Sequence, residues 1–180
     1  MKGAVLIALN DMVEEVFSMA VWDQVLAKVK PDSEGIYISA ESYDDAEVVG
    51  LVVALSELTG VPVNELVRSF GTYLFHQLNS KFPIFCDLHT NIFDLLSSIH
   101  GVIHKEVDKL YSNASLPTIN CTKLSDSHLQ MRYYSPRKLC VLAEGLIIGA
   151  AEHYKADVSV SQCQCVHQGA DECLIDVKII

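Results

Sequence analysis

Residues 91–117 have the sequence NIFDLLSSIHGVIHKEVDKLYSNASLP, which marks the change from a helical to a mixed part of the chain. After Asn91, apolar residues recur at helical spacing and predict a long amphipathic helix with one buried face. Those apolar residues are Leu95, Leu96, Ile99, Ile103, Val107 and Leu110. His100 and His104 lie one turn apart on this helix, and on local grounds either can present an imidazole to a buried partner. The helical part ends near Ser115-Leu116-Pro117.

Four further helices are predicted before this one from the same apolar periodicity and from capping and turn residues. They run from Gly3 to Phe17, from Val21 to Val29, from the Asp44-Asp45 cap to Leu58, and from an Asn64 cap to Leu78. An irregular connection follows from Phe82 to Leu88.

The chain after Pro117 predicts two strands, a helix and two more strands. The strands fall near residues 118–122, 128–134, 158–166 and 173–180, and the helix runs from Arg137 to Tyr154. The sequence therefore predicts an α+β fold: one domain over residues 1–180, with a helical N-terminal subdomain packed on a C-terminal antiparallel sheet and its helix.

Tyr133-Tyr134-Ser135-Pro136-Arg137 closes the second strand and opens the helix. At alternating positions, Tyr133, Ser135 and Arg137 can present two hydroxyl groups and a guanidinium to a pair of carboxylates. A strand end followed by a helix cap explains Ser135 and Pro136 without a ligand, but leaves Arg137 unexplained.

Composition and charge restrict the kind of protein. Half of the residues are apolar and the mean hydropathy is +0.26, which favours either an apolar cofactor pocket or a buried dimer face. The net charge of −10 argues against binding to nucleic acid or anionic lipid. No apolar run approaches the ~18 residues of a membrane-spanning helix. Six cysteines without an export signal point to a reducing, cytoplasmic location.

The chain resembles the haem nitric oxide/oxygen-binding (H-NOX) family, which comprises bacterial gas sensors and the haem domain of soluble guanylate cyclase. The resemblance covers the whole chain. It is carried by Met1-Lys2-Gly3, Phe70-Gly71, the histidine helix, Ser115-Leu116-Pro117 and the residues Tyr133, Ser135 and Arg137.

The resemblance implies a haem b buried between a distal helical part, residues 1–64, and residues 65–180, which hold the proximal helix, the sheet and the motif helix. In the family the axial histidine stands thirteen positions before a proline that packs on the haem; counted from Pro117, this is His104, with His100 as its neighbour. Tyr133, Ser135 and Arg137 match the family's propionate-binding motif.

The distal side of the pocket decides which gas is bound, because a bound oxygen molecule needs a hydrogen-bond donor and nitric oxide does not. Oxygen-binding members of the family have a tyrosine five residues after the motif arginine, where this chain has Leu142. The other expected pocket residues on this side are apolar: Val5, Leu9, Leu74, Leu78 and Leu146. Helical geometry turns Tyr73 away from Leu74 and Leu78. We therefore expect binding of nitric oxide and carbon monoxide, without appreciable oxygen binding.

The expected signal is mechanical. Nitric oxide weakens the bond trans to it, which frees the helix that carries His104, while Pro117 shifts against a flattening haem. A separate partner would read the altered surface, because the chain ends at Ile180 without an output segment. Family members of this kind regulate sensor histidine kinases or cyclic-di-GMP enzymes.

Four cysteines in the C-terminal part suggest a structural zinc site. They are Cys140, Cys163, Cys165 and Cys173. On an extended strand, Cys163 and Cys165 would be too far apart for one ion without a bulge. One branch of the family builds a zinc site here from three cysteines and a histidine; Gln162 stands at that position, so Cys163 or His167 would have to substitute. Buried apolar cysteines are the alternative, and Cys86 and Cys121 are expected to be structural.

Three other classes of protein remain as alternatives. A haem or zinc-thiolate redox sensor uses the same residues. The segments 149–154 and 169–173 also resemble a haem-free regulatory domain of the vinyl-reductase type. An enzyme is disfavoured, because no carboxylate pair, nucleophile with a base, or glycine-rich phosphate loop stands out.

Overall fold

The computed structural model describes residues 1–111 and 115–180, an α+β fold. Its α-helices are α1 (Gly3–Val16), α2 (Met19–Val29), α3 (Asp45–Thr59), α4 (Val63–Lys81), α5 (Ile84–Asp87), α6 (Ile92–Ser98), α7 (His104–Leu110) and α8 (Cys140–Tyr154). The strands are β1 (Thr118–Ser125), β2 (His128–Tyr134), β3 (Val158–Gln164) and β4 (Cys173–Ile179).

Side-chain caps begin several of these helices. Asp44 accepts a hydrogen bond from the Ala46 amide at the start of α3, and Asn91 accepts one from the Asp94 amide at the start of α6. The expected Asn64 cap is wrong: α4 begins at Val63 after Pro62, without a side-chain cap. Pro62 occupies the N-cap position itself, so Asn64 lies inside the first turn and not before it, where a capping side chain must stand.

The helix predicted from Asn91 to Leu110 is interrupted just before His104. Residues Ile99–Ile103 form a π-helical turn, and the His104 amide donates a hydrogen bond to the Ile99 carbonyl five residues earlier. A π-turn accommodates one more residue than an α-turn. It therefore sets the direction from which α7 presents the His104 side chain.

The four strands form one antiparallel sheet in the order β1-β2-β4-β3. β3 contains a bulge between Gln162 and Gln164, where its pairing with β4 shifts by one residue. The extra residue is Cys163, so this cysteine does not follow the alternation of its neighbours.

Two hydrophobic cores meet at the pair α4 and α8. The helical core is built from α1 to α4, with Leu142 and Leu146 of α8 packed against it. The sheet core lies between α6, α8 and the sheet. The helices α4 and α8 approach closely, because Gly71 and Gly145 face each other: a Cβ on Gly71 would lie 2.5 Å from the Leu142 carbonyl oxygen.

We find no single helix in the described ranges that is long and apolar enough to cross a membrane. α3 and α4 pass that test only together, and the chain bends by 113° between them.

Candidate functional site

A cavity of about 420 Å³ lies between the two cores. This volume falls in the range of roughly 300–1,000 Å³ that is common for small-molecule and cofactor sites. Ten predicted site residues line it: Val5, Leu74, Leu78, His104, Pro117, Tyr133, Ser135, Arg137, Leu142 and Leu146. Leu9 does not line the cavity. It lies one turn further along α1 than Val5, and its side chain is buried in the helical core.

His104 brings a neutral imidazole to this cavity. Burial, followed by the nearby His100, lowers its pKa below the ordinary value. Its Nδ1 atom is buried and has no hydrogen-bond partner within residues 1–111 and 115–180. His100 is exposed, and the two rings lie 6.3 Å apart between centroids. Of the two candidate histidines, His104 is thus the one at the cavity, in the neutral form that binds a metal ion.

Tyr133, Ser135 and Arg137 lie together at the cavity, as the alternation predicts. Tyr133 and Ser135 are buried, and burial raises the pKa of Tyr133 to about 12, so its hydroxyl remains a donor. The Ser135 hydroxyl accepts a hydrogen bond of 3.2 Å from the Arg137 amide. These residues form a polar, cationic cluster in a mostly apolar cavity.

The guanidinium of Arg137 is held by two partners that the sequence did not indicate. Its Nε donates to Oδ2 of Asp45 at 2.6 Å, and its Nη1 donates to the Ser115 carbonyl at 2.8 Å. The other Asp45 oxygen accepts a hydrogen bond of 2.7 Å from the Met1 amino group. Burial alone would raise the pKa of Asp45, but the hydrogen bonds from Met1 and Arg137 outweigh it and lower that pKa.

The α4 side of the cavity is mostly apolar but includes two amides, Gln77 and Asn79, which sequence reasoning missed. Gln77 donates through Nε2 to the Tyr73 hydroxyl at 3.0 Å. Burial, followed by the Glu15 carboxylate, raises the pKa of Tyr73 to about 12. Tyr73 therefore faces Glu15 and Gln77.

Three cysteines form a compact group in the sheet core, to one side of the cavity. Cys165 Sγ lies 3.7 Å from Cys140 Sγ and 4.0 Å from Cys173 Sγ. Burial raises the pKa of Cys140 to about 12, and burial also raises the pKa of Cys173. In the absence of a metal ion, the Cys140 and Cys173 thiols are therefore protonated at neutral pH.

The expected participation of Cys163 and His167 in this group is corrected by the structure. Cys163 is the bulged residue of β3; it is exposed, and its sulfur donates to the Leu174 carbonyl. His167 Nε2 lies 2.9 Å from the Lys138 carbonyl oxygen. The bulge that Cys163 and Cys165 would need in order to share an ion is present, but Cys163 is its exposed residue.

Glu144 of α8 connects α4 to β3. It is buried, and its Oε2 accepts two hydrogen bonds from Arg68, at 2.6 and 3.0 Å. Its Oε1 accepts a hydrogen bond from Gln162 Nε2 at 2.5 Å. The Gln162 Oε1 atom is buried and has no hydrogen-bond partner in the described chain.

Comparison with known proteins defines the class of this fold and site. A family model described as Haem-NO-binding matches residues 2–162. The chain is 38% identical to an H-NOX protein from S. oneidensis, crystallised in the Fe(II)NO ligation state, with a TM-score of 0.93 and coverage of 100% of this chain and 99% of that one. The chain is also 38% identical to the SO2144 H-NOX domain from Shewanella oneidensis, whose NMR structure is in the Fe(II)CO ligation state. The TM-score is 0.91, with coverage of 100% of this chain and 99% of that one. An unliganded Fe(II) H-NOX protein from K. algicida is 26% identical, with a TM-score of 0.91 and coverage of 100% and 97%.

The chain belongs to the Haem-NO-binding, or H-NOX, family. H-NOX domains are haem-binding gas-sensor modules and not enzymes. The residues of this chain fit a haem, because an unpaired buried imidazole nitrogen, an apolar cavity and a hydroxyl–guanidinium cluster meet at one place.

Proposed function

We propose that this chain is a nitric oxide sensor that holds ferrous haem b through His104, with the propionates on Tyr133, Ser135 and Arg137. The observation that carries the proposal is the position of His104: its imidazole lies on an apolar cavity with Nδ1 buried and unpaired among the described residues. A buried polar atom without a partner costs roughly 1–3 kcal/mol, so such an arrangement favours a ligand that uses the imidazole.

The bound haem, held by His104, would supply an iron that binds nitric oxide or carbon monoxide. The chain supplies the selectivity. Leu74, Leu142 and Leu146 place hydrocarbon where oxygen would need a hydrogen-bond donor. The nearby tyrosine, Tyr73, is engaged with Gln77 instead. We therefore propose that carbon monoxide and nitric oxide bind, and that oxygen does not bind stably.

The proposed output is a change in the surface around α7. This helix follows the π-turn and leads to Pro117, which lines the same cavity as His104. Release of His104 would free α7 to move relative to α6, because the π-turn already interrupts the helix between them. We propose that a sensor histidine kinase or a cyclic-di-GMP enzyme in the cytoplasm reads this change.

Replacement of the axial residue tests the proposal. The purified chain, reconstituted with haem, should show a Soret band, and the His104→Gly variant should lose it unless imidazole is added. His100→Gly is the matched control, one turn away and exposed, and it should retain haem. If His104→Gly kept haem and His100→Gly lost it, His100 would be the ligand. If the parent chain showed no Soret band, the proposal of a haem sensor would be wrong.

Exposure of the reduced protein to each gas tests the selectivity. Nitric oxide and carbon monoxide should each shift the Soret band, and air should oxidise the protein without a lasting oxygen complex. A stable oxygen complex would show that Gln77, or another donor, compensates for Leu142.

A zinc site in the cysteine group is a second proposed function, which one observation favours. Tetrahedral zinc with Zn–S bonds of about 2.3 Å requires sulfur–sulfur distances of about 3.8 Å, close to the 3.7 and 4.0 Å found here. Cys140, Cys165 and Cys173 would bind the ion as thiolates, with Gln162 Oε1 or water as the fourth ligand. Oxidation of the thiolates would release the ion and add a redox input.

Zinc content distinguishes this site from a group of apolar cysteines. The purified chain should contain one zinc ion, Cys173→Ser should lose it, and the exposed Cys163→Ser should keep it. Peroxide should release the ion from the parent chain. Equal zinc content in the two variants would contradict the assignment.

A further inference from the structure

Arg137 connects parts of the fold that are far apart in sequence. Asp45, the first residue of α3, holds its Nε, and Ser115, in the segment that leads from α7 to Pro117, holds its Nη1. The guanidinium thus joins the helical core to the chain that follows His104. Nη2 has no partner within residues 1–111 and 115–180, so this nitrogen remains available to a ligand in the cavity.

We propose that Asp45 is a positioning residue that fixes the Arg137 guanidinium in the orientation that receives a haem propionate. The proposal rests on the proposed function, since it assumes that Arg137 contacts a propionate.

The geometry favours a positioning role over a role in folding. A guanidinium is planar, so fixing Nε and Nη1 also fixes the direction of Nη2. Asp45 is itself well placed: it follows the Asp44 cap in the first turn of α3, where the helix dipole favours a carboxylate. Its side chain is 44% exposed, against 23% for Arg137. Ion pairs of a carboxylate with this exposure, to Arg137 and to the Met1 amino group, contribute little to stability by themselves. A misdirected arginine, in contrast, loses a charge-assisted hydrogen bond to the ligand.

The same contacts would transmit the position of a bound propionate to α3. A propionate that moves Nη2 moves the whole rigid guanidinium, and Asp45 transfers that displacement to the first turn of α3. The Ser115 carbonyl would transfer it to the segment that leads to Pro117. Asp45 therefore connects haem binding to the helical core without itself lining the cavity.

Asp45→Asn tests the proposal by removing the charge while keeping the size of the side chain. Asp44→Asn is the matched control: it removes the same charge one residue earlier, and asparagine still caps the helix. We expect haem to transfer from ferric Asp45→Asn to excess apomyoglobin about tenfold faster than from the parent chain or from Asp44→Asn. Asp45→Glu, which keeps the charge, should give an intermediate rate.

Haem dimethyl ester separates positioning from a general loss of structure. This derivative lacks the propionate charges, so it should leave the parent chain and Asp45→Asn at the same rate. If ordinary haem left Asp45→Asn at the parent rate, the proposal would be overturned. It would also be overturned if haem and its ester both left Asp45→Asn faster than the parent chain by the same factor. Slower transfer from Asp45→Asn would also overturn it, because Asp45 would then compete with the propionate. A parent chain that binds no haem would instead remove the proposed function.

Discussion

Alanine at Gly145 tests the close approach of α4 and α8, which separates the two cores and forms part of the cavity wall. The added Cβ would overlap the Arg68 carbonyl oxygen and would lie 2.8 Å from Gly71 Cα. Both obstacles are backbone atoms, so a side-chain rotation cannot relieve the overlap. The helices must therefore move apart, which displaces Leu142 and Leu146 on α8.

Overpacking costs typically about 1–3 kcal/mol, and the higher helix propensity of alanine returns about 1 kcal/mol. A net loss of about 1 kcal/mol lowers Tm by about 2–4 °C in a chain of this length. Gly101→Ala is the matched control, because its Cβ would have nothing within 4 Å. That variant should gain about 0.5 kcal/mol. Urea unfolding of the haem-free proteins measures both effects; a Gly145→Ala variant as stable as Gly101→Ala would refute the packing argument.

Two further predictions concern the gas and the pH dependence of stability. Leu142→Tyr should create the hydrogen-bond donor that a bound oxygen molecule needs, so its ferrous form should give a persistent oxygen spectrum in air; an unchanged spectrum would place residue 142 away from the gas. Burial raises the pKa of Asp176, but hydrogen bonds from His128 and Gln130 outweigh it and hold that pKa below its ordinary value. The resulting stability is present above pH ~4 and is lost as the pH falls through the lower folded-state pKa. Acid titration of the free energy of unfolding should therefore be less steep for Asp176→Asn than for the parent chain; identical curves would show that Asp176 contributes nothing.

Local sequence patterns predicted most of the elements. The apolar periodicity and the caps at Asp44 and Asn91 located α1, α3 and α6, because these signals depend on residues within one or two turns. The order strand, strand, helix, strand, strand after Pro117 is also confirmed. At the site, the alternation predicted that Tyr133, Ser135 and Arg137 meet at one place, and all three line the cavity, although β2 ends at Tyr134 and the other two residues lie in the turn that follows.

The remaining features depend on contacts that no local pattern encodes. Asp45 is 92 residues from Arg137, and in sequence it resembles only the first acidic residue of a helix. Val5 and Leu9 share one apolar face of α1, so periodicity does not show which of them meets the cavity and which meets the helical core. A π-turn adds a single residue and leaves both flanking segments helical, so the apolar pattern before His104 looks continuous.

Helix α8 contributes residues both to the cavity and to the cysteine group. Leu142 and Leu146 line the cavity, while Cys140, at the first position of the same helix, belongs to the cysteine group. Between them, the buried Glu144 is fixed by Arg68 of α4 on one side and by Gln162 of β3 on the other. A buried carboxylate that lost one of these partners would be costly, so a displacement of β3 would change the free energy of the α4–α8 contact.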